Sequence, residues 1–168
     1  MGEGKKNIMS NIDALLSEMW RDYISYTPSA EKISKLFGEH VTNDHIAFRT
    51  LNLDQCNIFK QANYLQQFGY TISGDYHFEQ KKLNAVHLEN VEERLPKIFL
   101  SELILEEFSS ELKEFFVNIF SKTHLSEKEL FMGGRFWEID YDIYTKLAQE
   151  SEYASWSVSY THLRAHET

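Results

Sequence analysis

The stretch that decides the fold is NDHIAFRT, residues 43–50. Its pattern predicts a β-strand, in which successive side chains point to opposite faces. One face would carry His45, Ala47 and Arg49, and the other Ile46 and Phe48. The small alanine between an imidazole and a guanidinium leaves room for a ligand above the first face. The pattern therefore fits a metal-binding or proton-transferring histidine beside an anion-binding arginine, and it also fits an ordinary half-buried strand.

The composition of the 168-residue chain is typical of one folded domain, with 42% hydrophobic and 14% aromatic residues. A formal net charge of −9 at pH 7 argues against nucleic-acid binding and against binding to an acidic membrane. The single cysteine, Cys56, excludes an internal disulfide framework and is predicted to be a small residue on a helix rather than a catalytic thiol. No apolar run approaches the ~20 residues of a membrane span, and we expect a cytoplasmic protein.

Around the first strand the pattern predicts the order strand, helix, strand, strand, strand. Apolar spacing and turn residues place these elements at residues 45–51, 54–68, 70–78, 83–89 and 97–105. The predicted inner face of the helix carries Ile58, Phe59, Ala62 and Leu65, and Gly69 closes it. A Ser73-Gly74 break predicts a bulge in the second strand.

Helices are predicted on both sides of this module. One runs from Ile8 to Pro28, and a shorter one over residues 29–37 would turn Ile33, Leu36 and Phe37 inward. Downstream we expect an amphipathic helix over residues 108–120 with Ser109 or Ser110 near its start, a Ser126-x-x-Glu129 capping box and a helix over residues 141–149. The predicted fold class is α+β, with a βαβββ module at about residues 43–105 and flanking helices within 8–37 and 108–149.

The chemistry that the sequence favours is metal-assisted rather than nucleophilic. The seven histidines form neither a Cys/His zinc pattern nor an HExxH helix, and the chain has no Gly-x-Ser-x-Gly elbow. Iron(II) oxygenases commonly use two imidazoles and one carboxylate, and His45 can supply one imidazole. The planar fork of Arg49 suits a substrate carboxylate. Four residues of extended strand separate the two Cα atoms by about 13 Å, so Arg49 could reach the far end of a dicarboxylate held at the metal.

Three further side chains are weaker candidates. Glu102 fits a metal ligand, a carboxylate that supports a ligand, or a structural charge, and pairing of the strands could turn it to the same cavity as His45. His87 would line a cavity or face water, and His77, beside a turn, is predicted to be solvated.

The strand-helix-strand-strand-strand order is the repeat unit of the vicinal oxygen chelate superfamily, whose members pair two modules around a metal. Three stretches, NDHIAFRT (43–50), YHF (76–78) and KIFLSEL (97–103), resemble the 2-oxoadipate dioxygenase/decarboxylase family, also called hydroxyglutarate synthases. The resemblance covers about residues 9–156, and the His-x-x-x-Arg strand is its most specific part. It implies that Fe(2+) and O₂ act on 2-oxoadipate, a 2-oxo dicarboxylic acid, to give 2-hydroxyglutarate and CO₂, as in lysine breakdown. It also implies that His45 is the first iron ligand and contacts the substrate, and that Arg49 binds a substrate carboxylate.

The chain departs from the family pattern near its end. A second histidine and a glutamate ligand are expected in a second module, beyond residue 168. The tail SVSYTHLRAHET, residues 157–168, does not continue the family pattern and resembles a translated sequencing adapter. We therefore expect residues 1–156 to be the N-terminal part of a single catalytic domain, the tail to be non-native and this chain alone to be inactive. Two alternatives remain open: another vicinal-oxygen-chelate enzyme, and a metal-free small-molecule binding module in which His45 is only a polar contact.

Overall fold

The structure is a computed structural model that describes residues 3–38, 43–132, 141–159 and 164–165, with side chains described over 11–38, 43–132 and 141–155. Two helices come first, α1 (Glu3–Tyr26) and α2 (Pro28–Leu36). The central module follows as β1 (His45–Leu51), α3 (Ile58–Gln66), β2 (Tyr70–Phe78), β3 (Leu83–Asn90) and β4 (Lys97–Leu103). The chain continues with α4 (Ser110–Ser121), α5 (Tyr141–Glu150), α6 (Glu152–Ser159) and a two-residue β5 (Arg164–Ala165). The predicted βαβββ order and the α+β class are confirmed.

The five strands form one sheet in the order β2-β3-β4-β1-β5. β1 and β4 are parallel, and the other neighbouring pairs are antiparallel. The register between β2 and β3 shifts between Ile72 and Gly74, which confirms the predicted bulge. β5 lies in the tail predicted to be non-native and pairs with Ala47 and Phe48. This pairing does not reveal where the tail comes from, so its origin stays a prediction.

The core lies on one face of the sheet, beneath the helices. It joins strand residues such as Phe48, Val86 and Leu100 to helix residues such as Leu15, Leu65 and Phe116, all at most 4% exposed. Phe48 also meets Phe131 edge-on at 5.1 Å between ring centroids. The other face of the sheet is open over much of its area, and this asymmetry positions the candidate site.

Several predicted helix boundaries and caps are confirmed. The side chain of Ser109 accepts a hydrogen bond from the N–H of Leu112 at the start of α4. In the predicted capping box, the Ser126 N–H donates to the Glu129 carboxylate at 2.7 Å and the Glu129 N–H donates to the Ser126 hydroxyl. Gly69 closes the end of α3 at φ +89°, a conformation that glycine adopts without strain. Residues 136–140, which include Phe136 and Trp137, lie outside the described residues.

The prediction that α2 turns its apolar side chains inward is wrong. Ile33, Leu36 and Phe37 are 53%, 83% and 79% exposed, and α2 buries none of its residues. Apolar periodicity identifies a helix face but does not supply a surface to cover it.

The α3 region departs from prediction in two places. The helix starts at Ile58 rather than near Asp54, because the Asn57 side chain caps it by accepting from the Lys60 N–H at 2.9 Å. Its buried face is Ile58, Gln61, Ala62 and Leu65. These positions follow the i, i+3, i+4, i+7 spacing of one helix face, which leaves Phe59 58% exposed.

Two other local predictions are wrong. Cys56 lies in the turn before α3 rather than on the helix. Burial raises the pKa of its thiol, whereas a nucleophilic cysteine needs a lowered pKa. β4 ends at Leu103, two residues early, because residues 105–107 form a short 3₁₀ turn. Among the residues the structure describes, no helix is long and apolar enough to cross a membrane.

Candidate functional site

The predicted alternation of β1 is confirmed. Ile46 and Phe48 are 4% and 1% exposed on the helix-covered face. The opposite face carries His45, Ala47 and Arg49, which lie in register with Lys97, Phe99 and Ser101 of β4. The open face continues across β3 and β2 through Ala85, His87 and Tyr76, and the rings of Tyr76 and Phe99 lie 6.0 Å apart.

A pocket of about 540 Å³ opens on this face at the Arg49 end of β1. Its sheet wall is formed by Ala47, Arg49, Phe99 and Ser101. The turn between β2 and β3 contributes Lys81 and Lys82, and the α5–α6 junction contributes residues 150–153. The pocket therefore combines three cationic side chains with two carboxylates, Glu150 and Glu152, above an aromatic and aliphatic surface.

Arg49 contacts the side chain of Tyr153 inside this pocket. The guanidinium carbon lies 5.4 Å from the centroid of the Tyr153 ring, within the range of a cation–π contact. The Tyr153 hydroxyl lies 3.1 Å from the Thr50 carbonyl oxygen and 3.0 Å from that of Ser101. Burial raises the pKa of this hydroxyl, which keeps it protonated as a donor.

His45 lies on the same face but outside the lining of the pocket. Its side chain is 56% exposed, and Nδ1 lies 2.6 Å from Oδ2 of Asp44. A carboxylate that orients an imidazole through one ring nitrogen is a common arrangement around metal-ligating histidines, with Nε2 as the nitrogen for the metal. The structure thus places Arg49 in a pocket and His45 at the far, exposed end of the strand.

The described residues do not complete a metal site. Over the part of the chain that the structure describes, no group of three His, Cys, Asp or Glu side chains is arranged to hold an ion. His45 with its neighbour Asp44 is one imidazole and a partner carboxylate, short of the two imidazoles and one carboxylate expected for iron. The iron predicted from the resemblance therefore stays a prediction.

The expectation that Glu102 faces the same cavity as His45 is wrong. The register pairs Glu102 with Thr50, so its side chain points to the helix-covered face. The carboxylate is 4% exposed and accepts hydrogen bonds from the Ile58 N–H at 3.0 Å and from Asn84 Nδ2 at 3.3 Å. Of the roles considered for Glu102, the structural one matches these contacts.

The two weaker histidines take different positions. His87 lies on the open face between Gly74 and Phe99 in register, with Nε2 3.5 Å from a Glu89 carboxylate oxygen. His77 is exposed, as predicted, and its Nδ1 lies 2.9 Å from Oδ1 of Asn84.

Several pocket residues were not predicted from the sequence, Tyr153 and Lys82 among them. No sequence pattern predicts a contact between Tyr153 and Arg49, since the two residues are 104 positions apart and no motif joins them. Lys82 belongs to the predicted turn and adopts a left-handed conformation at φ 54°. Its ammonium group donates to the Glu107 carbonyl oxygen at 2.7 Å and lies 4.5 Å from the centroid of the Phe108 ring.

Comparison with solved structures first defines the class of fold. A glyoxalase superfamily protein from Ralstonia eutropha JMP134 is similar with a TM-score of 0.62 at 16% identity, over 88% of this chain and 58% of the other. Together with the βαβββ order, this likeness shows that the module has a fold of the vicinal-oxygen-chelate type.

More similar proteins define the family. Hydroxyglutarate synthase from Oryza sativa, solved in complex with 2-oxoadipate, gives a TM-score of 0.81 at 27% identity, over 98% of this chain and 58% of the other. A chloroplastic/amyloplastic 2-oxoadipate dioxygenase/decarboxylase of Oryza sativa subsp. japonica is 29% identical over 163 residues, which is 86% of this chain and 45% of that protein. The 2-oxoadipate dioxygenase/decarboxylase family model matches residues 8–134. The chain therefore belongs to the 2-oxoadipate dioxygenase/decarboxylase family.

The chain spans about half the length of the curated relatives it matches. Those relatives are described as plastid proteins, so the expected cytoplasmic location stays a prediction.

Proposed function

We propose that this chain supplies the carboxylate-binding part of an Fe(II)- and O₂-dependent dioxygenase that converts 2-oxoadipate to 2-hydroxyglutarate and CO₂ in lysine degradation. The observation that supports this most is the place of Arg49, in a pocket on the open face of the βαβββ sheet, in line with His45 on the same strand. Family membership and the rice enzyme solved with 2-oxoadipate support the substrate class.

The residues of the pocket suit one end of a dicarboxylate. Arg49 can donate two parallel hydrogen bonds to a carboxylate and keeps its charge at any working pH. Lys81 and Lys82 also line the pocket and add positive potential, which favours an anionic ligand. Phe99 and Phe78 present apolar surface for the methylene groups between the two carboxylates.

Under this proposal His45 binds at the other end of the substrate. The Cα atoms of His45 and Arg49 are about 13 Å apart along the strand, so a long arginine side chain can meet the far carboxylate of a six-carbon diacid. Fe(II), when bound, would supply the activation of O₂ and the polarisation of the 2-oxo group. His45 is the ligand that the described residues offer, and the other ligands would have to come from elsewhere.

A metal-free binding module is the second candidate. The observation that favours it is that Arg49 lines the pocket and His45 does not, while the described residues complete no metal site. Both candidates place a carboxylate on Arg49, and they differ in whether Fe(II) strengthens binding through His45.

The test is isothermal titration calorimetry of the chain under anaerobic conditions, with and without Fe(II). The proposal predicts that 2-oxoadipate binds more tightly than 2-oxohexanoate, which lacks the far carboxylate, by about 10-fold or more. It also predicts that Fe(II) tightens binding in the wild type and not in His45→Ala. Equal affinity for the two acids contradicts the proposal, and diacid selectivity without any effect of Fe(II) favours the metal-free module.

A further inference from the structure

We infer that Tyr153 is a positioning residue for Arg49: its ring holds the guanidinium in the pocket, and its hydroxyl anchors that ring to β1 and β4. The inference deepens the proposed function and rests on it for the identity of the ligand. Tyr153 belongs to α6, outside the βαβββ module, so this contact makes the site depend on the C-terminal helices.

The hydroxyl contacts place the ring relative to Arg49 from both strands. Thr50 follows Arg49 in β1, and Ser101 lies opposite Arg49 in β4. The Tyr153 hydroxyl lies within 3.1 Å of both carbonyl oxygens, and its single proton is shared between them. The hydroxyl end of the ring is thereby fixed at the position along the sheet from which the arginine side chain leaves.

The ring contact leaves the arginine able to bind a carboxylate. A guanidinium stacks on an aromatic ring through its flat face, whereas its N–H donors lie in its plane. With its carbon 5.4 Å from the centroid of the Tyr153 ring, the guanidinium can pack its flat face on the ring and keep its N–H donors for a carboxylate. A side chain held in its binding geometry loses less conformational entropy when the ligand arrives.

The pocket itself supports this assignment. Arg49 and Tyr153 both line it, on walls formed by β1 and by the start of α6. Ser101, in register with Arg49, is 6% exposed, and its hydroxyl donates to the Phe48 carbonyl oxygen at 3.4 Å. The strand ends beneath Arg49 are thus cross-linked by both Ser101 and Tyr153, which defines a rigid base for one long side chain.

The experiment compares two substitutions of Tyr153 with a matched control. Tyr153→Phe keeps the ring and removes the hydroxyl, and Tyr153→Leu removes both. Tyr141→Leu makes the same change at a side chain on α5 that is 76% exposed and outside the pocket lining. The readouts are the affinity for 2-oxoadipate by calorimetry and the NMR resonance of the Arg49 Nε–H group in ligand-free protein, which the ring current of a stacked tyrosine shifts.

The positioning role predicts that Tyr153→Leu weakens binding by roughly 3- to 30-fold and moves the Arg49 resonance, as expected for the loss of a cation–π contact. Tyr153→Phe should lose stability yet keep affinity within about 3-fold, because the ring remains. Tyr141→Leu should leave both readouts unchanged.

Two results would overturn the inference: wild-type affinity and an unmoved resonance in Tyr153→Leu, or equal losses of affinity in Tyr153→Phe and Tyr153→Leu. If Tyr153→Leu does not fold, Tyr153→Met replaces it, since it fills the site without a ring. If the wild-type chain does not bind 2-oxoadipate, the proposed function fails, and the Arg49 resonance in ligand-free protein still decides whether Tyr153 holds the guanidinium.

Discussion

The carboxylate of Glu102 accepts a hydrogen bond of 3.0 Å from the backbone N–H of Ile58, the first residue of α3. The N–H groups of the first helical turn have no partner within the helix, and a negative charge there is favourable. The other Glu102 oxygen accepts from Asn84 Nδ2 on the neighbouring strand β3. Glu102 therefore joins the sheet to α3 from the face opposite the pocket.

Replacing Glu102 should destabilise the fold. Glu102→Leu would leave the buried Ile58 N–H and the half-buried Asn84 amide without their acceptor, at a cost of about 2–3 kcal/mol in the free energy of unfolding. Glu102→Gln retains one acceptor oxygen and should cost about 1 kcal/mol. Urea unfolding measures both, and wild-type stability of Glu102→Leu would show that the contacts of Glu102 contribute nothing to the fold.

The exposed position of Leu36 on α2 gives a second prediction. Leu36→Ala removes a side chain that is 83% exposed and should change the free energy of unfolding by less than about 0.5 kcal/mol. Leu65→Ala makes the same change at a side chain that is 0% exposed in α3 and should cost about 2–5 kcal/mol. Comparable losses in the two variants, measured by urea unfolding, would mean that α2 is packed against the core after all.

The pH dependence of stability follows from Glu150, which lines the pocket and receives hydrogen bonds from the hydroxyl and the N–H of Ser109. These bonds lower the pKa of Glu150 below its ordinary value of 4.5. Because the folded-state pKa is depressed, the ionised carboxylate stabilises the fold above the unfolded-state value, and this contribution is lost as the pH falls through the folded-state value.

Glu150→Gln should therefore be less stable than wild type near neutral pH, and the two should converge as the pH falls below 4.5. Urea midpoints measured from about pH 7 down to about pH 3 check this. Glu129 is a matched carboxylate outside the pocket, because its hydrogen bonds to Ser126 also lower its pKa. The pH dependence of the urea midpoint of Glu129→Gln is therefore compared with that of Glu150→Gln. A difference in urea midpoint between Glu150→Gln and wild type that grows as the pH falls would contradict this linkage.

The incomplete metal site gives a prediction about activity. Because no three potential ligands are arranged to hold an ion in the part of the chain that the structure describes, the 168-residue chain should bind Fe(II) weakly enough to lose it on desalting. No turnover of 2-oxoadipate should be detected when Fe(II) and O₂ are added, by assay of 2-hydroxyglutarate. Sustained turnover by this chain would show that it holds a complete active site.

Sequence predicted the part of the structure that depends on local pattern. The alternation of side chains from His45 to Arg49 predicted both the strand and its two faces. The capping box at Ser126 and the turn at Gly69 likewise depend on residues that are close together in the sequence. The face of the sheet on which Glu102 lies could not be predicted from local pattern. It depends on the register between β1 and β4, which pairs Glu102 with Thr50. A one-residue shift of that register would have turned Glu102 to the open face.

The tertiary contacts of the site were beyond the reach of pattern. Tyr153 meets Arg49 only because α6 returns to the ends of β1 and β4, and no spacing in the sequence encodes that return. The apolar residues of α2 show the converse, since their periodicity is correct for a helix and yet they lie exposed.

The central claim is that Arg49 is the group that binds a carboxylate of a 2-oxo diacid. The most direct measurement is the affinity of 2-oxoadipate for the wild type, Arg49→Lys and Arg49→Gln by calorimetry, with backbone NMR spectra to confirm that all three are folded. Loss of a charge-assisted bidentate bond predicts roughly 10- to 100-fold weaker binding in Arg49→Gln and a smaller loss in Arg49→Lys, which keeps the charge without the fork. Wild-type affinity in a folded Arg49→Gln would contradict the account, because the carboxylate would then be bound elsewhere.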